Sequence, residues 1–127
     1  MTRSEFQDLV EEALHLLPEE IRRRLENIAV VVEDFPPRSV LDEMGIHSPY
    51  DLLGLYQGVP LERRGFYYGN VLPDRISLYQ GPIEAHCRSK RQMIKRIKGV
   101  VLHEIGHYFG FDDYELDQIM DPEPEGE

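Results

Sequence analysis

The feature that most limits how this chain can fold lies in residues 83–109, which read as helical, with an interruption allowed near residues 87–89. At 100° per residue, Ile94, Ile97, Val101, Leu102, Ile105, Tyr108 and Phe109 gather on one side of the wheel, with the stem of Lys98 among them. Such a stripe must be laid against other elements, so the remaining chain has to supply a sheet or helices to receive it. His103 and His107 fall on the opposite side. They face a surface or cleft and are not histidines satisfied inside the core. Gly99 and Gly106 sit on neighbouring parts of the wheel, where each costs roughly 1 kcal/mol relative to alanine. Close approach of another backbone is the expected reason for them.

The elements before this helix follow from local signals. Ser4 and Gln7 have the spacing of a capping box, and Phe6, Leu9, Val10, Ala13, Leu14 and Leu17 recur at helical spacing, which predicts a helix over residues 5–16. Pro18 suits the first position of a second helix ending near Glu26, with Glu19 and Glu20 at the positive end of its dipole. Arg22, Arg23 and Arg24 then read as a solvated helix face. The β-branched run of residues 28–33, stopped by Asp34, Phe35, Pro36 and Pro37, predicts a strand buried on both faces. Ser39 and Gly45 bracket a short helix over residues 40–44 as cap and stop. Two similar aromatic segments, each ended by glycine and proline, predict strands over residues 52–57 and 75–80. Between them, residues 65–70 read as a short strand or aromatic hairpin. The likeness of the two segments is a likeness of strand ends, since a repeat architecture needs at least three units.

At 127 residues the chain is long enough for one domain to bury its core without disulfides, and residues 1–122 are assigned to it. Residues 123–127 form an acidic tail, expected to be mobile. A formal charge of -10 argues against a nucleic-acid surface, which needs a concentrated basic face. No run of residues is apolar enough to span a membrane. The single cysteine, Cys87, excludes an internal disulfide, and residues 1–10 lack the pattern of a secretory signal. A cytoplasmic location is the expectation, although a secreted chain already stripped of its leader would look the same. The oligomeric state is left open, a monomer being compatible with the sequence. Arg88, Lys90, Arg91, Lys95, Arg96 and Lys98 crowd the first half of the long helix at scattered angles, which reads as a solvated, ion-paired surface in preference to the alternative, an anion site.

The chemistry is concentrated in residues 103–113. Two histidines four apart on a helix reach one metal ion from one face, and Glu104 between them stands beside whatever the metal binds. Zinc in a hydrolase takes three protein ligands and keeps a fourth position for water, whose pKa falls to about 7 there. A third ligand from a separate downstream helix would need more chain than residues 108–127 offer. Gly110 can turn the chain back, so that a residue just beyond it faces the same metal.

His103, Glu104, His107, Gly110 and Asp113 match the metzincin pattern H-E-x-x-H-x-x-G-x-x-H/D. Asp113 stands where most of that clan has a third histidine, as in its snapalysin-like branch. Ile119, Met120, Asp121 and Pro122 resemble the matrixin Met-turn, at close to the matrixin distance from Asp113. With its small size, the chain most resembles the minimal, single-domain bacterial zincin-like metallopeptidases. From this chain's own composition, the five-residue pattern would arise by chance with a probability on the order of 10⁻⁴, so coincidence explains it poorly.

The resemblance implies an α+β zincin-like fold, a small mixed sheet packed against a long active-site helix and N-terminal helices. It implies Zn²⁺ held by His103, His107 and Asp113, and Glu104 as the base that activates the water attacking a peptide bond. Asp112 is the rival third ligand and otherwise an acceptor for a ligand histidine. The implied partner is a peptide or protein substrate, held along residues 76–80 as the cleft-edge strand. No tyrosine follows Met120 where some metzincins have one, and Tyr108 lies on the core side of the helix. His15, His47 and His86 read as surface or packing residues, and nothing around Cys87 resembles an inhibitory propeptide motif. The alternative function is a non-catalytic zinc-binding domain of the same fold that recognises peptides or a partner protein.

Overall fold

The computed structural model describes residues 1–58 and 74–109, with side chains described as far as Gly106 in the second stretch. The expectations for residues 65–70, the turn at 119–122 and the tail at 123–127 lie outside these residues.

Helix α1 spans Arg3–His15. Its capping box is Thr2 and Glu5, not Ser4 and Gln7: Glu5 N–H donates to Thr2 Oγ1 at 3.0 Å, and Thr2 N–H donates to the Glu5 carboxylate at 2.9 Å. An ionised acid at the positive end of the helix dipole is the better reciprocal partner, so the helix begins two residues earlier than the wheel suggested. The same bonds, first the one from the Thr2 backbone and then the one with its hydroxyl, hold the Glu5 carboxyl below its usual pKa. Helix α2, Glu19–Leu25, follows Pro18. Arg23 and Arg24 pair with Glu19 and Glu20 at 3.0 and 3.5 Å, consistent with the expected solvated face.

Strand β1 is Ala29–Glu33 and helix α3 is Arg38–Met44. Gly45 ends α3 in the left-handed conformation at φ 70°, as its position promised, but the entry is made by Pro37, with no side-chain cap from Ser39. A 3-10 turn, Pro49–Asp51, leads to strand β2, Gly54–Gln57, and the next described strand is β3, Arg75–Tyr79. The sheet order is β1-β3-β2, with β1 parallel to β3 and β2 antiparallel to it.

This order corrects the expectation for β1. Among the described residues it is an edge strand, its own residues exposed or half-buried, and the central, buried strand is β3. A β-branched run signals a strand without saying where in the sheet it lies. In β3 both alternating sets are covered. Ile76 and Leu78, flanked by Val30 and Val32, join Phe6, Val10, Ile97 and Val101 in the main core on one face. Tyr79 packs with Leu41 and Leu52 on the other. Burial, and next the Glu33 carboxylate opposite it in the register, raise the Tyr79 pKa above that of a free tyrosine. Along β1, Arg3 Nη1 donates to Val32 O at 2.9 Å and Nε to the Gln80 side chain at 3.0 Å, while its other nitrogen pairs with Asp34.

The chain passes directly from β3 into helix α4, Gln80–His86, and after residues 87–89 resumes as helix α5, Lys90–Phe109. The interruption therefore falls where it was expected. Ser89 Oγ accepts the Gln92 N–H at 3.1 Å and the Gln92 side chain accepts the Arg88 N–H at 2.6 Å, which fixes the start of α5. Ile97, Val101, Leu102 and Ile105 are buried against α1 and the sheet, each burial contributing about 1.5–3 kcal/mol. Two expectations for α5 fail. Nothing approaches within 4 Å of a Cβ built on Gly99. Among the described residues, moreover, none of the cations Arg88 to Lys98 is ion-paired. The fold is α+β, as expected.

Candidate active site

Helix α5 and strand β2 meet through a glycine. A Cβ on buried Gly54 would lie 2.5 Å from Val100 Cγ1 and 3.0 Å from Ser77 O, so only a residue without a side chain lets the helix close on the strand here. One helical turn further along, the Glu104 carboxylate accepts the backbone N–H of Tyr56 at 2.7 Å. Two strand residues cover about 6.6 Å and four helical residues about 6 Å, so β2 and α5 run side by side in the same direction over this stretch.

The Tyr56 contact also identifies which edge of β2 faces away from β3. Tyr79 N–H donates to Leu53 O at 2.9 Å. By the alternation of an antiparallel ladder, Leu53, Leu55 and Gln57 turn their backbone groups towards β3, and Gly54 and Tyr56 turn theirs outward. The expected cleft-edge strand, residues 76–80, is therefore corrected. Strand β3 is paired on both sides and has no edge to offer, while β2, outermost among the described residues, turns its other edge to the helix that carries Glu104.

Along this junction lies an open cleft of about 700 Å³. One wall is Leu53 and Gly54, another is His86 and Cys87 at the end of α4, and the floor is α5 from Gln92 to Glu104. His103 is exposed and Glu104 half-buried, although Leu102 and Ile105 beside them are buried, so the wheel's separation of histidine face from core stripe holds at His103. His86 is exposed and its Nε2 lies 2.9 Å from Tyr50 O, which ties the end of α4 to the 3-10 turn.

The structure thus brings His103 and Glu104 into one cleft. The backbone of His107 follows one turn later on α5, while its side chain and all of Asp112 and Asp113 lie outside the described residues. Among the described residues, no three histidine, cysteine or acidic side chains converge as a metal site. The exposed face at His103 and the helical four-residue step to His107 fit a metal held from that face. His86 is the surface or packing residue that sequence reading expected, whereas the Tyr56 amide was missed. No local pattern could have marked the amide, because its role depends on β2 being the outer strand.

The comparisons agree with this architecture. A model of the zincin-like metallopeptidases matches residues 25–121. The solved structure of a conserved hypothetical protein from Thermo thermophilus is similar at 26% sequence identity and a TM-score of 0.54, over 86% of this chain and 94% of that one. No curated protein matches the chain significantly. Since the family match runs from the start of the sheet through the helix bearing His103, Glu104 and His107, the chain belongs to the zincin-like metallopeptidase family.

Proposed function

We propose that this chain is a zinc-dependent endopeptidase of metzincin type, in which His103, His107 and Asp113 hold the metal and Glu104 is the general base. The observation that carries the reading is the opening of His103 and Glu104 into one cleft beside the outer edge of β2. Zinc held there would polarise the scissile carbonyl and acidify the attacking water. The chain's own groups do the rest. An extended peptide would pair with the outward backbone groups of Gly54 and the outward carbonyl of Tyr56, whose N–H is held by Glu104, gaining affinity with little dependence on its sequence. Glu104, already anchored at that edge through the Tyr56 N–H, takes a proton from the water and passes it to the leaving amine.

The test is Glu104→Gln. The variant should keep stoichiometric zinc by metal analysis and lose about 10²- to 10⁴-fold in hydrolysis of a denatured protein. Full hydrolysis by the zinc-loaded variant would remove Glu104 from the mechanism. Stoichiometric zinc in the native chain without cleavage of any member of a broad peptide library would favour a non-catalytic zinc-binding domain.

A further inference from the structure

Away from His103 and Glu104, the cleft has a cationic end. Lys95 and Arg96 line it, both exposed, and no carboxylate among the described residues pairs with either. Three helical cations, Arg23, Arg24 and Arg38, each meet an acid one turn away on their own helix, whereas among the described residues the α5 cations do not, and of these Lys95 and Arg96 are the two that line the cleft. Lys95 has Arg91, Gln92, Lys98 and Gly99 at those positions, and Arg96 has Gln92, Met93, Gly99 and Val100. In the cleft the two cations meet no acid among the described residues, and they are placed to receive an anionic ligand.

Their placement indicates where that ligand sits. Arg96 precedes His103 by seven residues, two turns of α5, which puts the two about 20° apart in azimuth and about 10 Å apart along the axis. Strand β2 begins level with Val100, one turn beyond Arg96, so a peptide extended along its edge towards the cationic end runs on past Gly54 and advances about 3.3 Å per residue. The geometry points to an anionic subsite in which Lys95 and Arg96 receive an Asp or Glu side chain about three residues from the scissile bond. Charge at this end of the cleft then supplies the sequence selection that backbone pairing with β2 does not. Arginine suits the role because its planar guanidinium accommodates a carboxylate through two parallel bonds. This inference rests on the peptidase reading.

The experiment uses peptides identical except for Glu, Gln or Lys at the third residue on either side of the cleaved bond. The full zinc-loaded chain should cleave the Glu peptide with a kcat/KM about five- to tenfold above Gln on one of the two sides, and Lys should fall below Gln. High salt should shrink the difference. Lys95→Gln with Arg96→Gln should abolish the preference, and Lys95→Glu with Arg96→Glu should reverse it. Fluorescence anisotropy of the same peptides on the Glu104→Gln protein gives a readout independent of cleavage. Cleavage without charge preference, or a preference that survives both double variants, overturns the subsite and leaves the peptidase reading standing. If nothing is cleaved but the Glu peptide binds more tightly in a Lys95- and Arg96-dependent way, the peptidase reading fails and the subsite stands. Equal binding of all three peptides without cleavage overturns both.

Discussion

Gly54 and Gly99 look alike in the sequence, each a glycine inside a regular element, and the structure gives them opposite roles. Val100 and the backbone of Ser77 occupy the space a side chain at position 54 would need. Gly54→Ala should therefore lower stability by about 1–3 kcal/mol, because neither a β-branched side chain nor a strand backbone moves away cheaply. Gly99 stands in open space in ordinary helical conformation, so Gly99→Ala should raise stability by about 0.5–1 kcal/mol. Thermal or urea unfolding of the two variants checks the sign of each change. An unchanged midpoint for Gly54→Ala would mean that helix and strand are not in close contact there. Tyr56 carries the same lesson for chemistry, since its contribution is a backbone N–H that any residue except proline could supply, and side-chain identity therefore gave no signal.

Helix α5 was the most legible element because its two requirements are written at the same period. The apolar set Ile97, Val101, Leu102 and Ile105 recurs every three or four residues and is buried, and the exposed His103 falls between its members. Strand β1 was legible as an element but not in its place, for its valines signal extended backbone equally well at an edge or in the middle of a sheet. The cleft edge was misassigned for a related reason. Nearness in sequence to the active-site helix suggested β3, whereas pairing on both sides removes it from contention and leaves β2. In the proposed site, the residues just after α5 would supply the third metal ligand. If Gly110 reverses the chain at the spacing proposed, Asp113→Asn should reduce bound zinc well below one equivalent while Asp112→Asn retains most of it. Metal analysis after dialysis against a weak chelator distinguishes them, and the opposite pattern would transfer the ligand role to Asp112.

At the scale of the whole molecule, the two strands that are outermost among the described residues are used differently. Strand β2 turns its edge towards the cleft, where Glu104 receives one of its amides. Strand β1 pairs with β3 on one side only among the described residues, and its outward carbonyl at Val32 is held by Arg3, which also reaches Asp34 and Gln80. That side chain guards the sequence Ala29-Val30-Val31-Val32, which is uncharged, β-branched in its three valines and free of proline and so suited to pairing with a copy of itself. Arg3→Ala should therefore change colloidal behaviour more than fold or catalysis. Static light scattering on concentrated samples should show association growing with protein concentration in the variant and not in the parent chain. If both scatter alike, some other feature keeps β1 from self-association. One arginine at the start of the first helix would then set how crowded a solution this protein tolerates before its own edge strand becomes a template for fibrils.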